Sequence, residues 1–168
     1  PDETTVKQHK NINFVHFLLH LTGIKTLQPV IDNDVVCIFN GEIYNYKDLN
    51  SECESDVHSI IYAYNKYGND FTKYLDGEFT IVLFDFKKNI FIISSDIFKT
   101  KPLFYNVDED IVISSYESSC KSIKYQKYTY IKPNETLIFD LKTRKLLEKK
   151  KICEFDLEQK KDNYDDFV

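Results

Sequence analysis

Asn40, Gly41 and Glu42 stand together behind a short apolar run, Val35 to Phe39, and Asp56 follows at the head of an amphipathic stretch. A backbone that turns sharply at the end of a buried strand exposes N–H groups. The Asn40 amide and the Gly41 N–H therefore suit a developing oxyanion, where one such donor is worth about 2.7–4 kcal/mol in a transition state. Asn-Gly alone is more often the signature of a plain hairpin turn. Glu42 and Asp56 are two carboxylates that together suit an ammonium group through charge-assisted bonds. Asp56 alone also reads as a first-turn acid complementing a helix dipole. The two acids lie on different elements, so only the fold can pair them.

The other reactive side chains are less organised. Of the histidines His9, His16, His20 and His58, two fall inside the apolar run Ile12 to Thr22, where His16 and His20 read as satisfied core histidines. No serine or cysteine is paired with them as a nucleophile would be. The secondary amine of Pro1 is a candidate base if Pro1 is the true terminus, although an arbitrary fragment start is simpler. Cys37, Cys53, Cys120 and Cys153 form no C-x-x-C pair, so no metal site is expected, and the cysteines are expected to remain thiols. Asn134-Glu135-Thr136 fits a glycosylation pattern that is common by chance.

The elements that must position these groups are mostly strands. Ile12 to Thr22 reads as a buried strand stopped by Gly23, and Leu27-Gln28-Pro29 as a loop. Val35 to Phe39 reads as a second strand closed by Asn40-Gly41. Ser55 is the expected cap of a helix whose apolar face is Val57, Ile60, Ile61 and Tyr64, ended by Gly68. Phe71 to Leu75 reads as a short helix stopped by Asp76-Gly77. Short apolar strands follow at Phe79 to Phe86, Ile90 to Ser94, Leu103 to Tyr105 and Ile111 to Ser114, with turns at Lys87-Lys88-Asn89 and Asp108-Glu109-Asp110. Thr136 to Leu141 and Lys145 to Ile152 form a last hairpin, and Glu154 to Val168 a charged tail or linker. Many antiparallel strands with few helices mean an α+β fold.

Composition narrows the function. The chain has 168 residues, of which 42% are hydrophobic and 29% charged, values that fit one packed domain. Aromatic residues reach 15%, which favours half-buried strands. A net charge of -5 gives no basic surplus for a phosphate backbone, so no nucleic-acid partner is expected. No apolar run has the length of a membrane span, and the polar stretch Pro1 to Lys10 is not a signal peptide. The expected location is cytoplasmic.

Asn40-Gly41-Glu42-Ile43-Tyr44-Asn45 resembles the N-G-E-I-Y-N motif of asparagine synthetases, in their class II glutamine amidotransferase domain. Other motifs follow the family's order. Pro1-Asp2 resembles the end of R-G-P-D, and Gln28-Pro29 precedes the N-G-E run. Ser55-Asp56 stands where the family has an acid after a small residue. Leu75-Asp76-Gly77-Glu78-Phe79 resembles L-D-G-x-F, and Asp96 with Lys101-Pro102-Leu103-Phe104-Tyr105 resembles R-D-x-x-G-x-K-P-L-Y-Y. The resemblance runs from Pro1 to about Ser122 and implies an amidotransferase type-2 domain over 1–153, lacking its first segment, with 154–168 as tail.

The implied fold is that of the N-terminal nucleophile hydrolases, a four-layer αββα sandwich of two antiparallel sheets. The implied reaction is glutamine hydrolysis to glutamate and ammonia, by an N-terminal cysteine whose α-amine moves the proton. By the same resemblance Asn40 and Gly41 form the oxyanion hole, Glu42 and Asp56 bind the glutamine ammonium, and Leu19 and Thr22 supply backbone contacts. Ammonia would pass to a synthetase domain that activates aspartate. ATP and magnesium belong to that domain, with no cofactor in this one, and a homodimer is compatible with the family.

The departures are as specific. No cysteine begins the chain, so by itself it is expected to be inactive as a glutaminase. Leu18 stands where the family's H-x-R-L stretch has the arginine that clamps the glutamine carboxylate, and the only arginine is Arg144. Loss of that clamp costs about 1.5–3 kcal/mol, unless Lys25 or an upstream residue replaces it. Ser95 and Lys99 replace the arginine and glycine around Asp96. The alternatives are a degenerate domain that binds or docks a synthetase partner, a relative with another reaction on the same fold, and an unrelated β-rich interaction module.

Overall fold

The computed structural model describes residues 1–108, 110–122 and 128–156. Its centre is a six-stranded sheet, entirely antiparallel, in the order β11-β10-β6-β5-β4-β3. These strands are β3 (Val30–Asp32), β4 (Val35–Ile43), β5 (Gly77–Asp85), β6 (Ile90–Ser95), β10 (Glu135–Asp140) and β11 (Leu146–Lys150). β5 and β6 are buried along most of their length because both faces are covered, which is why they read as continuous apolar runs rather than alternating ones.

One face carries the helices. α1 (Tyr46–Leu49) leads into α2 (Asp56–Tyr67), which continues as a 3₁₀ segment from Gly68 to Tyr74. Val57, Ile60, Ile61 and Tyr64 lie on Val35, Cys37, Phe39, Ile81, Leu83 and Ile92. Gly68 ends α2 as expected, with φ +60. The Tyr64 hydroxyl donates to Asp85 Oδ2 at 2.7 Å, so this core aromatic also keeps its polar tip satisfied.

The opposite face packs Val36, Val82, Phe84, Phe91, Ile93 and Phe139 against Phe14, Leu103 and Ile131. The covering layer is a hairpin, β1 (Glu3–His9) with β2 (Ile12–Leu18), and a small antiparallel sheet, β8-β7-β9. In that sheet β7 is Phe104–Asn106, β8 is Val112–Ser114 and β9 is Thr129–Tyr130, and α3 (Glu117–Ser122) packs against β7 and β8. Two antiparallel β layers with helices outside them are the α+β arrangement expected.

Asp96 joins the layers. It is 2% exposed, and its carboxylate accepts from the N–H of Phe79, Phe98 and Thr100 and from the Thr100 hydroxyl. Among the described residues no helix is long and apolar enough to cross a membrane.

Several sequence expectations change. Ile12 to Thr22 is not one buried strand: β2 stops at Leu18, and Val15 and Phe17 face outward while Phe14 and Leu18 face the core. The hairpin has only one covered face, and its partner ends at Glu3, opposite Leu18. The polar stretch before Lys10 is itself strand β1, hidden because an exposed edge carries few apolar residues. Asn40-Gly41 does not close β4, which runs unbroken through both residues to Ile43, with Gly41 opposite Phe79. The tail expected over 154–168 falls largely outside the described residues, as does Glu109 of the expected turn.

Candidate functional site

β4 has a neighbour on only part of its outer edge. β3 pairs with Val35, Val36 and Cys37 and then ends. Beyond that point side chains take the place of the missing strand. Phe39 N–H donates to the buried Gln28 Oε1 at 2.7 Å, and Ile43 N–H donates to Asp56 Oδ2 at 3.3 Å. Residues two apart on a strand turn their N–H groups to the same side. Gly41 lies midway between these two, on the stretch of the β4 edge that β3 does not cover.

Gly41 could not be another residue. Its φ is +140, and a Cβ would lie 1.9 Å from the Glu78 carbonyl oxygen. The backbone of β5 passes so close that only a hydrogen fits. Asn-Gly here serves close approach within a sheet, not a turn.

A narrow cleft opens beside this edge, with a cavity volume of about 40 Å³, or about 330 Å³ of empty space when its open mouth is counted. Gly41, Glu42, Ser55 and Asp56 form its polar floor, and Leu18, Leu19, Leu21, Thr22 and Ile24 its wall. The wall is pinned to the helix start, because Ile24 N–H donates to the Glu54 carbonyl at 2.9 Å.

Of the six residues singled out, the fold brings together five: Leu19, Thr22, Gly41, Glu42 and Asp56. Asn40 precedes Gly41 on β4 but is exposed and outside the lining. Leu18 does line the cleft, so no arginine occupies that place. Lys25 does not reach it either; its ammonium is 2.6 Å from Glu3 Oε2.

Asp56 is the most perturbed acid of the cleft. Burial pushes its carboxyl above the ordinary carboxylate range, the negative charge of Glu42 adds to this, and the Ile43 and Val57 N–H groups oppose it. The Glu42 effect shows that the two carboxylates share one field. Ser55 caps α2 by position without a side-chain cap bond; its hydroxyl donates instead to Asp56 Oδ1 at 3.3 Å. Cys37 is fully buried, and burial raises its thiol far above the usual range, so it is inert despite its nearness to Asp56. None of the four cysteines lines the cleft.

His16 and His20 are not matched core histidines. His16 is half-buried with an unpartnered Nδ1, and burial lowers its pKa against a hydrogen bond to the Phe39 backbone. His20 is exposed and lines the cleft. A larger groove, about 630 Å³, lies between the 3₁₀ segment and β11, lined by Asp70, Lys73, Glu148 and Lys150 among others. Its charges are already matched, Asp70 with Lys73 and Lys150, and Lys150 with Glu148. No group of three or more metal-ligating side chains occurs among the described residues.

The profile of the glutamine amidotransferase domain family matches residues 1–153. The chain belongs to this family. The amidotransferase domain is 29% identical over 143 residues to a probable glutamine-hydrolyzing asparagine synthetase of Dictyostelium discoideum, covering 77% of this chain and 26% of that protein. It is 31% identical over 147 residues to the glutamine-hydrolyzing asparagine synthetase 1 of Saccharomyces cerevisiae, covering 79% and 25%. The chain thus spans about a quarter of the length of these relatives. The glutamine phosphoribosylpyrophosphate amidotransferase of B. subtilis, complexed with ADP and GMP, has a similar fold, with TM-score 0.62, 17% identity and coverage of 83% of this chain and 34% of that one. The resemblance to class II amidotransferase domains of asparagine synthetases holds, and so does the N-terminal nucleophile hydrolase fold.

Two residues of the amidotransferase edge were missed in the sequence. Gln28 reads in the sequence as a loop marker and as a family motif residue beside Pro29, and nothing local shows that its amide replaces a strand. His20 was hidden by the apolar residues around it.

Proposed function

We propose that the cleft binds L-glutamine and that the domain is the glutaminase part of an asparagine-synthetase-like protein. Glu42 and Asp56 hold the α-ammonium. The side-chain amide lies along the open edge of β4, its oxygen facing the Gly41 N–H; Asn40, exposed outside the lining, would have to turn its side chain inward to act as second donor. Leu19 and Thr22 contact the ligand through the wall. The observation that carries this reading is the position of Gly41 on the uncovered edge of β4, between two residues whose N–H groups are each capped by a side chain, with a pair of carboxylates beside it. A sheet edge kept open at one position suits an oxygen acceptor, and a paired acid site suits a cation.

Hydrolysis then needs a nucleophile above the amide carbon. An N-terminal cysteine supplied by sequence before Pro1 would attack it, its α-amine taking the thiol proton and returning it to the leaving ammonia. An α-amine with an ordinary pKa of about 7.7–8.0 does this near neutrality. The ammonia would serve a synthetase domain that activates aspartate with ATP and magnesium, in the cytoplasm. Support comes from the curated relatives, named as glutamine-hydrolyzing asparagine synthetases.

A second reading, a binding or docking domain without glutaminase activity, is favoured by one observation: no lysine or arginine is among the described residues lining the cleft. Glutamate release from glutamine, measured on the protein preceded by a processed N-terminal cysteine, separates the two. Turnover is expected. Its absence, with the cysteine shown to be N-terminal, supports the docking domain.

A further inference from the structure

The charge of the cleft does not match an amino acid. Glu42 and Asp56 answer an ammonium, but a zwitterion also brings a carboxylate, which needs a donor once it leaves water. Among the described lining residues His20 is the one whose side chain can become cationic.

The geometry of His20 prepares it for this. Nε2 lies 2.9 Å from the Gly23 carbonyl oxygen. A carbonyl only accepts, so Nε2 carries hydrogen in both protonation states. The neutral ring then presents the lone pair of Nδ1, which repels a carboxylate. The protonated ring presents an N–H and a positive charge. The residue is also held in place, since its backbone N–H donates to Asp2 Oδ2 at 2.8 Å. Gly23 is fixed against the start of α2, where a Cβ would lie 2.4 Å from the Glu54 carbonyl oxygen.

We propose that His20, as imidazolium, contacts the α-carboxylate of the amino-acid ligand in this cleft, so that recognition of the zwitterion is linked to a proton. This rests on the glutamine reading and adds to it a specificity-determining residue. The charged and titratable groups around His20 are Asp2 and Glu3 at the start of β1, His16 on β2, Lys25 on the loop, Glu42 on β4, and Glu54 and Asp56 at α2. Lys25 and Glu3 neutralise each other. Asp56 also titrates, but it acts on the ammonium, which any amine ligand shares.

The test compares L-glutamine with L-glutaminamide, which keeps the ammonium and side chain but has no carboxylate. Titration calorimetry gives the preference for glutamine as the ratio of the two Kd values, and effects on Asp56 cancel in that ratio. As pH rises from about 5.5 to 7.5, the range in which histidine side chains lose their charge, the preference should fall several-fold. His20→Arg should hold the preference high at every pH, and His20→Ala should leave it low and flat. A flat preference in the unsubstituted protein, or the same slope in His20→Ala, overturns the role of His20 while glutamine binding stands. Failure of glutamine to bind at any pH overturns the glutamine reading and this inference with it.

Discussion

Asp56→Asn separates a ligand-binding role from a structural one. Asp56 Oδ1 accepts from Val57 N–H at 2.8 Å and from the Ser55 hydroxyl at 3.3 Å, and Oδ2 from Ile43 N–H at 3.3 Å. An asparagine keeps the Oδ1 partners and turns an NH₂ toward Ile43, leaving one buried donor unpaired at a cost of about 1–3 kcal/mol. Against this, the substitution removes a carboxylate that burial already disfavours. The two effects oppose, so the net change in stability should stay within about 1 kcal/mol, a shift of about 2–4 °C in Tm for a domain of this size. Glutamine loses a charge-assisted bond worth about 1.5–3 kcal/mol, or a factor of about 10 to 150 in Kd. Calorimetric titration and a thermal melt on the same sample measure both. A fall in stability of more than about 3 kcal/mol with unchanged Kd would show that Asp56 only clamps α2 to β4.

The remaining predictions follow from the same edge and its supports. Because the folded pKa of Asp56 is raised, the folded state binds more protons than the unfolded one between the ordinary carboxylate value and the raised one. Its contribution to stability should therefore fall as pH rises through that window, and the slope should vanish in Asp56→Asn, as read from urea midpoints. Gly41→Ala should cost more than about 3 kcal/mol, since a positive φ adds about 1–3 kcal/mol to an overlap that forces β4 from β5. Gln28→Ala should cost about 1–3 kcal/mol by leaving the Phe39 N–H buried without an acceptor, and Gln28→Glu, which keeps an acceptor there, should recover part of it. Asp96→Ala should cost more than about 3 kcal/mol in a denaturant titration, because three backbone N–H groups and one hydroxyl lose their acceptor.

What could be read in the sequence follows from how local each signal is. α2 was legible because Val57, Ile60, Ile61 and Tyr64 repeat at the helical period and Gly68 closes the run. β5, β6 and β10 were legible because burial on both faces makes them continuously apolar. β1 was not, since a strand at an exposed edge needs few apolar residues. Asn40-Gly41 misled for a physical reason: a glycine required by a turn and one required by a neighbouring backbone leave the same letter, and only the carbonyl of Glu78 tells them apart. The acids Glu42 and Asp56 were identified by resemblance, but their meeting in one cleft depends on the distance between β4 and the start of α2, which no sequence spacing encodes. His20 reads as a core histidine because the apolar run continues four residues past Leu18, where β2 ends.

The central claim is that the open stretch of the β4 edge receives glutamine. Amide ¹H–¹⁵N spectra recorded during titration with L-glutamine test it most directly. The account predicts saturable shifts at Gly41, Glu42, Ile43, Asp56 and Val57, the largest at Gly41, and little change along β11. Shifts confined to the groove around Asp70 and Lys150, or none at Gly41 at saturating glutamine, would contradict it.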